Sequence, residues 1–344
     1  MRIILFPLAA CLAAWLMGGG FTGEPADYAW APERPITIIV PWARGGSTDQ
    51  IVRLVAGEIE AALQCRVVVV NKPGRTGSVG TARALEAEPN GYTWTSGSAA
   101  PLGVYPVLGM LETRLDDWHL FLAVVNTPVI SVRADSAHED FVGLMADLKA
   151  YPGRLRVATS GTGSTGHKVM ELICRAAGGE YQHAGYDGGQ PAVASVVAGE
   201  SDVTAQLASE QAELIRRGQL RPLAAFSREP LEIEGYGRIP PVTDWLPDVH
   251  ILTDYFGIWT RRDVPDEVIH TLQRVWKETL ANSETLGKYA RRHGAVVTPY
   301  YGEEARRRVG ETVRSDAWLL DDLGLAEVSP ETLGIPRLDP RPVE

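Results

Sequence analysis

The sequence predicts an α/β protein of two domains, with largely parallel strands and helices packed on the sheet faces. Three observations carry that expectation. From Pro35 onward, short β-branched runs alternate with amphipathic stretches of helical period, the pattern of strands joined by crossover helices. The two kinds of segment occur in equal number, as a doubly wound arrangement requires. The roughly 310 residues beyond the N-terminal leader also exceed what one hydrophobic core usually organises.

The elements follow in order. The run Ile36-Thr-Ile-Ile-Val40 reads as a buried strand, and residues 48–63 place apolar side chains on one helical face. Strands are expected at 67–70 and 92–96, the second entered through the tight turn Asn90-Gly91, with a helix over 78–86 between them. Strands at 121–125 and 129–132 precede a helix over 141–150, a strand at 155–159 and a helix over 167–177. After the turn Asp187-Gly188-Gly189 come a helix over 190–198, a strand at 203–207, a helix over 210–216 and a strand at 222–226. Residues 229–246, rich in Pro, Gly and charge, read as an irregular connection. A strand at 255–259 and helices over 266–282, 284–292 and 303–320 complete the pattern, and 336–344 reads as a loose tail.

At the N-terminus, Arg2, the apolar run 3–17 and Gly18-Gly-Gly20 form a secretory signal too short to span a bilayer, over residues 1–25. Cleavage is expected between Gly20 and Ala31, giving a periplasmic product. Leu8-Ala-Ala-Cys11 matches a lipoprotein cleavage pattern, yet the apolar run continues past the cysteine, which argues for a free product. The net charge of −10 argues against a nucleic-acid surface, and 45% hydrophobic with 22% charged residues is ordinary for a globular chain. The seven histidines show no metal-ligand spacing, so neither metal nor cofactor is expected. Cys65 and Cys174 fall in different domains, which argues against a disulfide.

Two stretches share one device, an apolar strand running into a glycine- and hydroxyl-rich turn that opens a helix. They are Pro41-Trp-Ala-Arg-Gly-Gly-Ser-Thr-Asp49 and Ser160-Gly-Thr-Gly-Ser-Thr-Gly-His167. Backbone N–H groups at a helix start, together with the helix dipole, make each turn a cradle for an anion, and Asp49 reads as an early helix residue or cap. Gly161-Thr-Gly-Ser-Thr-Gly166, trailed by Glu180, also satisfies the dinucleotide fingerprint. Its mid-chain position without a preceding Rossmann unit, the exported compartment and the second glycine turn weigh against that reading. Lys168 sits one position late for a phosphate-binding loop, and neither Ser164 nor Ser78 lies in G-x-S-x-G. No reactive constellation is visible, so an enzyme is not expected.

These residues resemble the periplasmic substrate-binding proteins of tripartite tricarboxylate transporters, the Bug receptors. The resemblance rests on Pro35 to Asp49, Val67-Val-Val-Val-Asn-Lys-Pro-Gly74, Gly77-Ser-Val-Gly-Thr81, Pro89-Asn-Gly-Tyr92, Ser160 to His167, and Tyr186-Asp-Gly-Gly-Gln-Pro-Ala192 leading to Ala198-Gly-Glu-Ser-Asp-Val203. It implies a two-lobed periplasmic-binding-protein fold, type II-like, each lobe a mixed, mostly parallel sheet flanked by helices, with the ligand in the interlobe cleft. Lobe one would comprise 30–124 and 228–330, lobe two 125–227, and 331–344 a C-terminal tail. Trp42, Ala43, Arg44, Gly45, Gly46, Ser47, Thr48 and Asp49 would form one jaw. Ser160, Gly161, Thr162, Gly163, Ser164, Thr165 and His167 would form the other, with Ser98 and Tyr186 lining the cleft. The implied function is a monomeric receptor that binds a small dicarboxylate or aromatic carboxylate and delivers it to integral-membrane transporter subunits. A receptor presenting the bound ligand to a sensor is the alternative.

Departures from the resemblance fall where a ligand would be chosen, at Arg44, Asp187 and Gln206. Arg44 would pair with a second anionic group or stand solvated on an exposed turn, and both readings are open. Gln206 replaces an acidic residue, which fits a substrate lacking an ammonium. Trp42 would stack on a flat ring or simply pack on the lobe. The other tryptophans read as core.

Overall fold

A computed structural model of the protein describes residues 28–337; the signal segment with Cys11 and the end of the tail lie outside the described residues. Two sheets organise the chain. The first takes β1 (Ile36–Val40), β2 (Val67–Asn71), β3 (Thr93–Ser98) and β4 (Trp118–Asn126) from the early chain, then β12 (Asp254–Arg261) and β13 (Ala295–Val297) from the late chain. Its order is β13-β4-β12-β3-β1-β2. The second takes β5 (Val129–Arg133), β6 (Arg156–Thr159), β7 (Gln182–Gly185), β8 (Val203–Thr204) and β9 (Leu220–Ala225), in the order β7-β6-β8-β5-β9. A hairpin of β10 (Leu231–Ile233) and β11 (Gly237–Ile239) follows.

Both sheets are mixed. Parallel pairing joins β1 to β2 and β3, and β6 to β7 and β8. The remaining pairs are antiparallel, a larger share than the sequence suggested. In the first sheet β12 comes back from the second sheet and inserts antiparallel between β3 and β4, opposing Phe256 to Ser98 and Asp254 to Asn126, and in the second sheet β5 runs against both β8 and β9.

Helices α1 (Ser47–Leu63), α2 (Ser78–Leu85) and α3 (Pro101–Val104) belong to the early chain, and α4 (Phe141–Ala150), α5 (Thr165–Ala177), α6 (Gly189–Ala198) and α7 (Ala208–Arg216) to the middle. The late chain supplies α8 (Asp266–Glu278), α9 (Glu284–His293) and α10 (Gly302–Asp322). The first core forms because Ile36, Ile38 and Val40 are fully enclosed while Ile51, Val52, Val55 and Ile59 present one stripe of α1 to the sheet. Trp276 stacks obliquely on Phe121 at 5.1 Å and donates its indole N–H to Leu122 O at 2.6 Å. Burying each large side chain of this kind contributes about 1.5–3 kcal/mol. Around the second sheet, Phe141, Leu144 and Leu148 of α4 pack with Val169, Met170 and Ile173 of α5. The Asp140 carboxylate caps α4 by accepting from Gly143 N–H at 2.7 Å.

Several elements depart from expectation for identifiable reasons. Gln182–Gly185 has almost no apolar run, and β7 exists because β6 offers it a parallel edge. The connection expected to be irregular contains the β10–β11 hairpin, whose Ile233 and Ile239 are buried in the core between α6 and α7. Strand β8 is two residues long, and Pro128 and Leu207 form a separate antiparallel bridge beyond it. Within the expected tail, Leu333 and Ile335 pack on the core beside α10, and Trp318 donates to Ile335 O at 3.0 Å. Cys65 and Cys174 are free and buried.

Candidate functional site

The turn between β1 and α1 and the turn between β6 and α5 stand opposite each other, one on each sheet. Between them lies a cavity of about 40 Å³, room for a few water molecules. The first sheet's side contributes Trp42, Gly46, Ser47, Thr48, Thr76, Ser98, Pro101, Asp254 and Phe256. The other side contributes Ser160, Gly163, Ser164, Thr165, Lys168, Gly189, Gln206, Leu207 and Glu210. The two glycine turns thus converge on one space, as their sequence suggested.

Several of their donors, however, are engaged by the protein's own groups. Gly45 N–H donates to Asp49 Oδ2 at 2.9 Å, and Ser47 N–H donates to Glu210 Oε1 at 3.0 Å. In the second turn, Gly163 N–H donates to His167 Nδ1 at 3.0 Å and Gly161 N–H to Thr159 Oγ1 at 3.3 Å. Gln206, with its amide turned to satisfy both neighbours, accepts from Ser160 N–H at 2.7 Å and donates to Glu210 Oε2 at 3.0 Å.

Four buried ionisable side chains cluster at this place. Glu210 stands in the first turn of α7 and is fully enclosed, so burial pushes its carboxyl up to about 7, against the lowering bonds from Ser47 and Leu207. Asp254 accepts from Ser98 and, at 2.5 Å, from Thr165 Oγ1. Burial raises its pKa, and the Lys168 ammonium opposes that rise. Lys168 of α5 donates to Asp316 of α10, linking helices from the two halves of the fold. Gly189 is required by this packing, since a Cβ there would collide with the Glu210 carboxylate. Glu210, Asp254 and Asp316 escaped sequence reasoning because only the fold brings them into one cluster, with Glu210 and Asp254 at the cavity. Lys168 carried a faint signal, its position just beyond the second glycine turn.

The model of the tripartite tricarboxylate transporter family receptor, TctC, matches residues 51–325. The chain belongs to that receptor family. The protein BugT of Bordetella pertussis is 27% identical over 321 residues, covering 92% of this chain and 97% of its own. A solved periplasmic transporter structure is 26% identical, with a TM-score of 0.77 over 85% of this chain and 97% of that one. Rpa4515 of R. palustris, solved with adipate, shares the fold at a TM-score of 0.77 and 22% identity, over 86% of this chain and 99% of its own. The two-sheet α/β architecture is therefore that of the periplasmic binding proteins. No helix among the described residues is long and apolar enough to cross a membrane, and the described residues hold no metal-binding cluster.

Not every residue proposed for the receptor's cleft reaches the cavity. Trp42, Gly46, Ser47, Thr48, Ser98, Ser160, Gly163, Ser164, Thr165 and Gln206 line it; Ala43, Arg44, Gly45, Asp49, Gly161, Thr162, His167 and Tyr186 do not. Arg44 is exposed on its turn, as is Asp187 on its own. Asp49 lies beneath the first turn. Burial opposes its ionisation, but bonds from Arg53, Gly45 N–H and Asn71 hold its carboxyl below the usual range. His167 props the second turn from behind, stacked on His183 at 4.0 Å with Nε2 3.5 Å from Glu171. Burial first, then the neighbouring His167, push His183 down to about 4. Tyr186 packs against the core of α6 and α7. Gln206 lies at the cleft, but both ends of its amide are committed within the protein, so its identity reports on Glu210 and not directly on a ligand.

Proposed function

We propose that this chain is an extracytoplasmic solute receptor that binds a small organic carboxylate between two lobes and delivers it to a membrane transporter. The lobes would be residues 30–124 with 228–330, and 125–227, joined by two chain crossings that act as a hinge. The observation that carries the reading is the cavity enclosed by hydroxyl-rich helix starts from both sheets, with Ser47 and Thr48 facing Ser160, Ser164 and Thr165. Such groups recognise oxyanions through hydrogen bonds and need neither metal nor nucleophile. The adipate seen in a neighbour of the same fold is of the matching chemical class.

Thermal unfolding of the exported chain against mono-, di- and tricarboxylates, aromatic acids, amino acids and NAD tests this. A ligand at about 100 times its Kd adds roughly 2.7 kcal/mol of stability, a clear rise in Tm. A rise with one class of acid supports the receptor, whereas a rise with NAD alone would replace it with a dinucleotide site.

A further inference from the structure

We propose that the ligand of this cleft carries a protonated nitrogen beside its carboxylate, with the nitrogen seated at Glu210 and Asp254 and the carboxylate at Ser164 and Lys168. This rests on the receptor reading above and narrows its ligand class. A helix start normally offers a ligand N–H groups and positive potential. Here the Ser47 N–H at the head of α1 is taken by Glu210, which lines the cavity itself. A carboxylate of the protein thus occupies that N–H in place of a ligand's carboxylate.

Asp254 adds a second acid to the same cavity, near enough for its charge to act on Glu210. Lys168 is the one cation among the lining residues, and it is already bonded to Asp316. Asp254 and Asp316 therefore share one ammonium, and Glu210 stands beside Asp254 in the same buried cluster. A ligand that is purely anionic meets like charge at low dielectric, while one carrying an ammonium or amidinium supplies the missing counter-charge.

The side of the cavity that carries Glu210 also carries groups for an oxyanion. Ser164 Oγ is buried, has no hydrogen-bond partner and lines the cavity, leaving a hydroxyl ready to donate to an oxyanion. Lys168 lies one turn further along α5, on the same wall. The arrangement fits a zwitterionic or amine-bearing acid, and it replaces the sequence-based expectation that Gln206 signals a substrate without an ammonium.

The experiment is calorimetric titration and thermal shift at pH 7.5 with matched pairs: succinate against aspartate, adipate against 6-aminohexanoate, and benzoate against 4-(aminomethyl)benzoate. The expected result is that in at least one pair the amine-bearing member binds at least tenfold more tightly, and that the double variant Glu210→Gln, Asp254→Asn loses this preference. Equal or tighter binding of the amine-free members overturns the inference and leaves the receptor reading standing. Silence across every pair overturns the receptor reading and the inference with it. Should the variant fail to fold, the ratio measured on the unaltered protein decides alone.

Discussion

The backbone N–H of Ser47 donates to Oε1 of Glu210 at 3.0 Å, although 163 positions separate the two residues. One carboxylate thereby sits at the start of α1 while also lying in the first turn of its own helix, α7. Two helix dipoles favour its ionised form. Burial and the neighbouring Asp254 favour the neutral form and shift the balance, pushing the carboxyl up to about 7.

That balance fixes a pH dependence. Glu210 titrates near 4.5, the ordinary glutamate value, when unfolded and near 7 when folded. A carboxyl with a raised folded pKa contributes stability that is fully present below the unfolded value and is lost as pH rises through the folded one. The loss should therefore fall between about pH 4.5 and 7 and amount to on the order of 3 kcal/mol. Burial shifts Asp254 in the same direction, so the comparison with Glu210→Gln isolates this residue. Urea unfolding should show the variant gaining on the parent protein between pH 5 and pH 8. A difference that stays constant with pH would contradict the assignment.

How much of this was readable beforehand depended on whether the signal was local. Strand β1 and helix α4 fell where the sequence placed them, because a β-branched run and an Asp-capped apolar stripe declare themselves within one window. The two glycine turns also converge as expected, since strand, turn and helix are a local unit. Glu210, Asp254 and Asp316 gave no such signal. Each is an ordinary acid on an ordinary element, made unusual only when β12 returns beside β3 and α10 reaches α5. Arg44 was left open between a ligand partner and a solvated arginine, and it stands exposed on its turn.

The Lys168–Asp316 pair gives a second prediction. Both side chains are almost wholly enclosed, and Asp316 Oδ1 has no further partner, so Asp316 relies on this one bond, while the ammonium also faces Asp254. Removing one member leaves an uncompensated buried charge, at a cost of about 3–5 kcal/mol, whereas replacing both with apolar groups can be near neutral. Lys168→Met should thus destabilise strongly in urea, and Lys168→Met combined with Asp316→Leu should recover part of the loss, Asp254 still lacking the ammonium. A single variant within about 1 kcal/mol of the parent would show that the partner finds water or simply changes protonation.

Trp42 supplies an optical test of the cleft. Its indole is wedged where added Cβ atoms on Gly77 and Gly97 would lie 3.1 and 3.6 Å from the ring system, and its carbonyl accepts from Asn71 at 3.0 Å, so its position is fixed from behind. It is only half-buried and lines the cavity, whereas Trp94, Trp118, Trp259 and Trp276 are fully enclosed. A ligand entering between the glycine turns should therefore shift or quench emission chiefly through Trp42. In Trp42→Phe the thermal shift with a saturating ligand should persist while the fluorescence change falls to a small fraction of its parent value. If the change survived intact in that variant, the reporting tryptophan and the ligand would both have to lie elsewhere.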